Sequence, residues 1–435
     1  MTSGDGQRLG DPPLFSQFPF TVALRRFRGD VRATAGQRRT YLQASTRTGD
    51  PEADALVEMF RRLPAGEGRR LFETAVDHGL TAVEDPPPEL TTFFASIDAE
   101  PYWLDRDQLD LAARAIGRSG VVGDIALSMG ALLGGYLAKR VAKTLVGSGD
   151  LERMAPRRIA ETMHWYVEAT AVGGLRRFAP GFRSTVRVRL MHAMVRAGMS
   201  RRPDWDWDGW EHPVNRSQLA GTITFFAVAQ ISGTQALGLH YSAQEKDAIC
   251  AFFRYLAYLL GVGPDLLAAT ERDYWRLFWL QIEHEFGAPD QDCVRLAQAL
   301  VRAIGPAVTG DGADLAHKVA RRAATGFLCG YARLIVGESN ADFLGLPDSA
   351  AFRAVVVAAA AALSAAEVVR RVTPGATRLC EHYGRRSRVR TVQKMMARHR
   401  GDHRFARSDR HLREHEPAAY PLSTPRPIAA SRETT

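Results

Sequence analysis

The stretch "VRVRLMHAMVR", residues 186–196, places a histidine within an apolar helical stripe. On a helix of 3.6 residues per turn, Val188, Met191 and Val195 lie on one side. His192 shares that side, so its imidazole is expected to point toward the protein interior. A histidine in this position either hydrogen-bonds a neighbouring helix in the core or ligates a metal or cofactor. The spacing alone leaves both interpretations open.

Helical periodicity dominates the rest of the chain, and segments rich in Pro, Gly and Asp separate the periodic segments. No alternating strand pattern and no internal repeat is evident. We therefore predict an all-α fold in which the helices form one multi-helix core. The predicted helices cover residues 52–63, 66–79, 106–117, 121–147, 156–170, 183–199, 216–238, 243–260, 264–285, 289–304, 312–336 and 348–371.

The composition changes at both ends of the chain. Residues 1–55 are rich in Gly, Pro and Arg and are predicted to form an irregular extension, whereas 56–383 form the helical domain. Residues 384–435 are predicted to be a basic, disordered tail, because 385–410 contain ten Arg and Lys against two Asp. Such a tail would contact RNA or an anionic membrane weakly and in a salt-dependent manner. No motif for specific nucleic-acid recognition accompanies it.

The composition is that of a globular protein, with 46% hydrophobic and 24% charged residues. The four cysteines lie far apart and form no CxxC pair, and no secretory signal is evident. We therefore expect a cytoplasmic protein. The longest apolar run, 354–366, is shorter than the ~20 residues that span a bilayer. The chain contains no GxGxxG, P-loop, nucleophile elbow or HExxH motif, which argues against nucleotide-binding, hydrolase and zincin chemistry.

Three segments carry a resemblance to a known family. They are "PRRIAETMHWYVEA" (156–169), "FRSTVRVRLMHAMVR" (182–196) and "WEHPVNRSQLAGTITFFAVAQISGTQALGL" (210–239). In this order they resemble the rubber oxygenase/latex clearing protein/MpaB family over about residues 120–285. The resemblance implies a globin-like helical core around haem b, with His192 as the iron ligand.

The resemblance also implies roles for neighbouring residues. Arg158 and Thr162 match an arginine and a threonine that line the distal side of the haem. A neutral imidazole ligand is expected to donate from its other ring nitrogen to a carbonyl or carboxylate. Arg189 and Arg196 either bind the haem propionates or lie on the surface. The match in the third segment consists of Pro213, Asn215, Thr222 and Phe226.

One position departs from the family pattern. Latex-clearing-type members carry a lysine before the distal threonine, where this chain has Glu161. We expect Glu161 either to coordinate the iron weakly or to pair with Arg158 three residues away. An RxxKT pattern with the family's lysine does occur at 139–144, but it lies too far from His192 to be the distal motif. His164 and His212 are expected to be structural or exposed.

The function predicted from these features is a haem-b oxygenase that binds O2 opposite His192 and oxidises a hydrophobic, unsaturated, isoprenoid-like substrate. Arg158, Thr162 and Glu161 would be the catalytic residues. Two alternatives stay open. One is a non-catalytic haem or gas-binding protein on the same fold. The other is a helical interaction protein with a basic tail.

Overall fold

Helices account for the architecture of the computed structural model, which describes residues 21–22, 25, 33–147, 151–286, 289–310 and 312–402. Within these ranges the chain contains no strand, and the prediction of an all-α fold is confirmed. The first helices are α1 (Ala35–Ser45), α2 (Pro51–Arg62), α3 (Glu67–His78) and α4 (Pro88–Asp98). A short 3₁₀ turn, Leu80–Ala82, follows α3.

The N-terminal region is more ordered than predicted between residues 35 and 55. A capping box holds the start of α1, where the Thr34 side chain accepts from the Gln37 amide and the Gln37 side chain accepts from the Thr34 amide. Asp50 caps α2 by accepting from the Ala53 amide. The periodicity did not reveal α1 because it buries only Tyr41 and Ser45. Most of the predicted irregular extension lies outside the described residues.

The central helices carry two π turns. Helix α5 (Arg106–Ala126) passes through a π turn at Leu127–Leu132 into Leu133–Gly135, and α6 is Lys139–Gly147. The predicted break between 117 and 121 corresponds to Gly120, whose φ of 55° and ψ of −142° interrupt α5. The helices α7 (Leu151–Ala169) and α8 (Pro180–Ser200) follow. Helix α9 (Arg216–Val228) continues through a second π turn at Ala229–Gly233 into Thr234–Ala236.

The remaining helices complete two adjoining apolar clusters. They are α10 (Ala243–Leu259), α11 (Glu271–Phe286), α12 (Gln291–Thr309), α13 (Leu315–Val336), α14 (Glu338–Phe343), α15 (Ala350–Val372) and α16 (Ala376–His399), with a 3₁₀ turn at Pro264–Leu266 before α11. The first cluster joins residues of α2–α5 to α7–α10, and the second joins the end of α5 and α6 to α11–α13. Helices α8 and α9 belong mainly to the first cluster, and the second reaches them from the α11 side.

The C-terminal boundary predicted at residue 383 is wrong for residues 384–399, which belong to α16. This helix packs against α5 and α7. Arg388 is buried there, and its Nε donates to Asp124 Oδ1 over 2.8 Å. Val392 and Met395 bury the same face of α16. The sequence predicted disorder because most of the helix is exposed and basic. Residues 403–435 lie outside the described residues, so the proposed contacts of a basic tail stay a prediction.

Two helical segments pass a length-and-composition test for crossing a membrane. The first, Arg106–Gly135, is 78% buried within the fold, as expected for a core helix. The second, α15, is only 11% buried and is longer than the apolar run counted in the sequence, because Val368, Val369 and Val372 extend it. Length and composition alone make this weak evidence for a membrane span.

Candidate functional site: an apolar cavity with a buried histidine

A cavity of about 310 Å³ lies where the two apolar clusters meet. Its walls come from the end of α5 and from α6, α7, α8, α9 and α11. Members of both clusters line it, such as Val188 from the first and Tyr136 from the second. Its volume is at the lower end of the range for small-molecule pockets.

His192 lines this cavity together with Val188, Met191 and Val195, as the helical stripe predicted. The pKa of His192 is lowered to about 4, mainly by burial and also by the positive charges of Arg196 and Arg158, against the opposing charge of Asp50. The imidazole is therefore neutral at physiological pH, and a nitrogen lone pair is available to a metal.

The ring nitrogen Nδ1 of His192 is buried and has no hydrogen-bond partner among the described residues. The expectation that a carbonyl or carboxylate would hold the second ring nitrogen is thus not met at Nδ1. A buried polar atom without a partner costs about 1–3 kcal/mol. The described part of the chain therefore leaves Nδ1 as a polar atom whose hydrogen-bonding capacity is unused.

Arg158 and Thr162 project from α7 and line the same cavity, as the resemblance implied. They lie one helical turn apart, and Trp165 lines the cavity next to them. The indole Nε1 of Trp165 donates to Thr185 Oγ1 on α8 over 2.9 Å, which ties the two helices together. The charge of Arg158 also lowers the pKa of His192, so the guanidinium lies within electrostatic reach of the imidazole.

Glu161 does not line the cavity and does not pair with Arg158 in the way that the sequence suggested. Its Oε1 accepts from Arg157 Nε over 2.6 Å and from the Asp402 amide over 2.8 Å. A residue three positions after Arg158 thus lies on the side of α7 that faces the end of α16. The predicted catalytic role of Glu161 has no support from this geometry.

Arg189 and Arg196 are buried, and neither lines the cavity. Arg189 donates from Nε and Nη2 to the two carboxylate oxygens of Asp50 over 2.6 and 2.8 Å, and from Nη2 to Glu52 over 2.7 Å. Arg196 donates from Nε to Asp54 over 2.7 Å. Surface exposure, one of the two alternatives drawn from sequence, is wrong, because both side chains are buried. Propionate binding stays a prediction, and the carboxylates of Asp50 and Asp54 already pair with these arginines. The arginines join α8 to the start of α2.

The third segment of the family resemblance supplies residues that line the cavity and a residue that caps the adjoining helix α9. Thr222 and Phe226 line the cavity, whereas Asn215 caps α9 by accepting from the Gln218 amide over 2.9 Å. The turn before α9 is strained, because Glu211 and Val214 have positive φ angles of 60° and 49°. Strain of this kind is frequent beside functional sites.

The other candidate histidines contact neighbouring side chains. His164 Nε2 lies 3.2 Å from Glu168 Oε1, and His212 packs edge-on against Trp207. Neither residue lines the cavity. In the RxxKT pattern at 139–144, Lys143 binds Asp290 and Asp292, so its ammonium group is held outside the cavity. Val141 and Thr144 of this stretch line the cavity, whereas Arg140 and Lys143 do not.

Sequence reasoning missed several polar residues of the cavity wall, which are Thr144, Gln218, Gln281 and Glu285. No sequence motif singles out Glu285. In the structure it is 5% exposed. The one available signal was its position between the apolar residues Ile282 and Phe286, which predicted a buried side of α11.

Glu285 also belongs to a cluster with Glu211 and His284, whose ligand atoms lie within 4.8 Å of one another. His284 Nε2 lies 3.0 Å from Glu211 Oε2, and Arg140 Nε lies 3.6 Å from the same oxygen. Glu211 therefore already has a hydrogen-bonding and a cationic partner from the protein. The cluster needs no metal ion to balance the charge of Glu211.

Comparisons with known proteins relate this chain to one family. A family model described as "ER-bound oxygenase mpaB/B'/Rubber oxygenase, catalytic domain" matches residues 120–366. A solved structure of latex clearing protein in the closed state is similar in fold, with a TM-score of 0.60 and 18% sequence identity. The alignment covers 79% of this chain and 90% of that one. No curated protein matches the chain.

The fold and the site define a multi-helix protein with an apolar cavity that a buried histidine lines. The family model covers more than half of the chain, so the protein belongs to the mpaB/rubber oxygenase family. The resemblance drawn from the three sequence segments is confirmed.

Proposed function

We propose that the protein is a haem-b-dependent oxygenase that acts on a hydrophobic, unsaturated substrate of the isoprenoid type. The observation that carries this proposal is that His192, Arg158 and Thr162, from two different helices, line one apolar cavity. Their combination of a neutral imidazole, a cation and a hydroxyl suits a haem site. Membership of an oxygenase family supports the same reaction class.

The cavity fits a haem group in the chemistry of its wall. His192 offers a neutral nitrogen donor, and its Nδ1 has no partner among the described residues. Gly135 leaves open space within the cavity wall, because a Cβ atom built there would meet nothing within 4 Å. Most of the remaining wall is apolar and accommodates a flat porphyrin. Haem would supply the binding and activation of O2.

The chain's own residues would hold and orient the reactants. His192 would ligate the iron, which fixes the cofactor relative to α8. Arg158 and Thr162 supply a positive charge and a hydroxyl donor on the α7 wall, where they stabilise negative charge that develops in the cavity. Val188, Leu132, Phe226 and Phe286 provide apolar surface that binds a hydrophobic substrate and excludes water.

The test replaces His192 with Ala and measures bound haem by the Soret absorbance of the purified protein. We expect His192→Ala to fold and to contain little haem, because the iron loses its axial ligand. His164→Ala and His212→Ala are matched controls that should retain haem, since neither residue lines the cavity. An unchanged haem content in His192→Ala would contradict the proposal.

Turnover separates the oxygenase from a non-catalytic haem protein. We expect O2-dependent oxidation of an unsaturated terpenoid by the wild-type protein and its loss in His192→Ala. If the wild-type protein binds haem but forms no O2-dependent product, the proposed haem site would be retained and the proposed catalytic function would be refuted.

We also propose a cytoplasmic location. Support comes from the cysteines, of which Cys250, Cys293 and Cys329 are buried and unpaired and Cys380 is exposed and unpaired. Fluorescence of a tagged full-length protein after cell fractionation tests this proposal. Recovery in a membrane fraction would contradict it.

A further inference from the structure

We propose that the substrate of this cavity carries a hydroxyl or carbonyl group, and that Glu285 binds this group by hydrogen bonding. Glu285 would thus select oxygenated isoprenoids over pure hydrocarbons. This inference rests on the proposed function and specifies its substrate class. It follows from the polar atoms of the cavity wall.

Glu285 lies in the last turn of α11 and lines the cavity. Both of its carboxyl oxygens are buried, and neither has a hydrogen-bond partner within the described part of the chain. Leaving a buried polar group unpaired costs about 1–3 kcal/mol, and more for a charged group. The protein retains this cost unless a ligand or water pairs with the group.

Two further cavity-lining groups share this condition. Thr144 Oγ1 on α6 and Gln218 Nε2 on α9 are also buried and lack a partner among the residues described. The three groups come from three different helices, so no single local distortion explains them. A hydrocarbon ligand would leave all three unsatisfied, whereas a hydroxyl group can both donate and accept.

The polar neighbours of Glu285 already bond to one another. Gln281, one turn earlier on α11, donates from Nε2 to the Ser217 carbonyl over 3.1 Å and to the Tyr41 hydroxyl. The Tyr41 and Ser217 hydroxyls are 3.0 Å apart. These groups satisfy one another and leave the carboxyl group of Glu285 to a partner from the cavity.

The charged groups around Glu285 shift the pKa of its carboxyl group in opposite directions. Burial raises the pKa of its carboxyl group most strongly, His284 and Arg140 lower it, and Glu211 raises it. The net direction is upward, which favours the neutral acid. A neutral carboxyl group has one donor and one carbonyl acceptor, and both can bond to the same hydroxyl group.

The test measures binding rather than turnover. Farnesol and β-farnesene are matched 15-carbon probes that differ chiefly in the hydroxyl group. Isothermal titration of the purified full-length protein with each probe, delivered from the same cyclodextrin, gives the ratio of affinities. We expect the wild type to bind farnesol at least about tenfold more tightly, since a site with unpaired polar groups rejects an analogue that lacks the bonding group.

The variants assign this preference to one side chain. Glu285→Leu should reduce the ratio to about one, whereas Glu285→Gln should retain most of it because the amide also donates and accepts. Glu271→Gln is the matched control on the same helix. Glu271 pairs with Lys246 away from the cavity, so the ratio should not change.

Several results would overturn the inference. Equal affinities in the wild type, binding of neither probe, or a preference that persists in Glu285→Leu would each do so. A Glu285→Leu protein that loses haem would assign the residue to the cofactor instead. A wild-type preference abolished by EDTA would assign the cluster with Glu211 and His284 to a metal. If the wild type contains no haem, the proposed function would be refuted, but the ratio of farnesol to β-farnesene affinities would still test the role of Glu285.

Discussion

Replacing Arg388 with Met should destabilise the protein, although Arg388 lies in a segment whose sequence is typical of a disordered tail. Arg388 Nε donates to Asp124 Oδ1 over 2.8 Å, and Nη1 donates to Thr170 Oγ1 over 3.1 Å. Its guanidinium carbon also lies 5.1 Å from the centre of the Tyr166 ring. Both Arg388 and Asp124 are less than a tenth exposed. The substitution therefore leaves Asp124 as a buried carboxylate without its cation.

Breaking a buried pair by removing one partner costs about 3–5 kcal/mol. At about 2 °C per kcal/mol for a large domain, the midpoint of thermal unfolding should fall by roughly 6–10 °C. Circular dichroism at 222 nm measures this midpoint directly. The double variant Arg388→Met/Asp124→Leu should recover most of the loss, because an apolar pair of similar volume often replaces a buried ion pair without cost.

The matched control is Arg390→Met, which removes an exposed arginine from the same helix. Its midpoint should change by no more than about 1–2 °C, since exposed substitutions stay within about 0.5 kcal/mol. If Arg388→Met and Arg390→Met unfold at the same temperature, α16 does not pack on α5 and α7 as described. Bound haem should fall with stability in Arg388→Met, because α7 carries Arg158 and Thr162.

Three further predictions concern other parts of the site. Glu161→Lys should leave the spin state of the bound haem unchanged, because Glu161 faces Arg157 and Asp402; a new low-spin signal in the absorption spectrum would contradict this. In haem-free protein, burial keeps the pKa of His192 at about 4, below its unfolded value of about 6.5. The neutral imidazole therefore stabilises the fold fully above pH 6.5, and this stabilisation is lost as the pH falls toward 4. The free energy of unfolding should fall by about 3 kcal/mol from this source between pH 7 and pH 4. His192→Gln should not show this part of the fall when urea unfolding is measured at the two pH values. Gly384→Ala should lower the melting temperature, because the new Cβ would lie 2.4 Å from the Gly117 carbonyl oxygen. Gly375→Ala is the control: its Cβ would meet nothing within 4 Å, so only backbone strain at its φ of 79° should cause a smaller loss.

The sequence was sufficient to predict most of the central helices, but not α1, α4, α14 or α16. His192 could be placed on an apolar side because spacing determines the side of a helix that a residue occupies. Arg158 and Thr162 were identified only through the family resemblance. Arg189 and Arg196 could not be assigned correctly, because their partners Asp50 and Asp54 lie more than a hundred residues earlier in the chain. Contacts between distant segments leave no periodic signal.

Helix α16 illustrates a second reason for an error. Its buried residues Arg388, Val392 and Met395 follow helical spacing, but two apolar side chains among many arginines do not form a recognisable stripe. Glu285 was missed for a different reason. A buried carboxyl group without a partner looks the same in sequence as an exposed one, and only its surroundings in the fold distinguish them.

The two π turns mark places where the chain holds one residue more than the α repeat needs. Each π turn, Leu127–Leu132 and Ala229–Gly233, widens its helix, and the two turns pack against each other beside the cavity. Because a π turn absorbs its extra residue within the turn, deleting one residue from the first would restore the α repeat and leave the residues that follow in nearly the same orientation. Gly135 and Tyr136 would then stay in the wall, but the wide turn before them would be lost. A relative could thus change the local shape of this wall through one deleted codon, without any substitution among the residues that face the ligand.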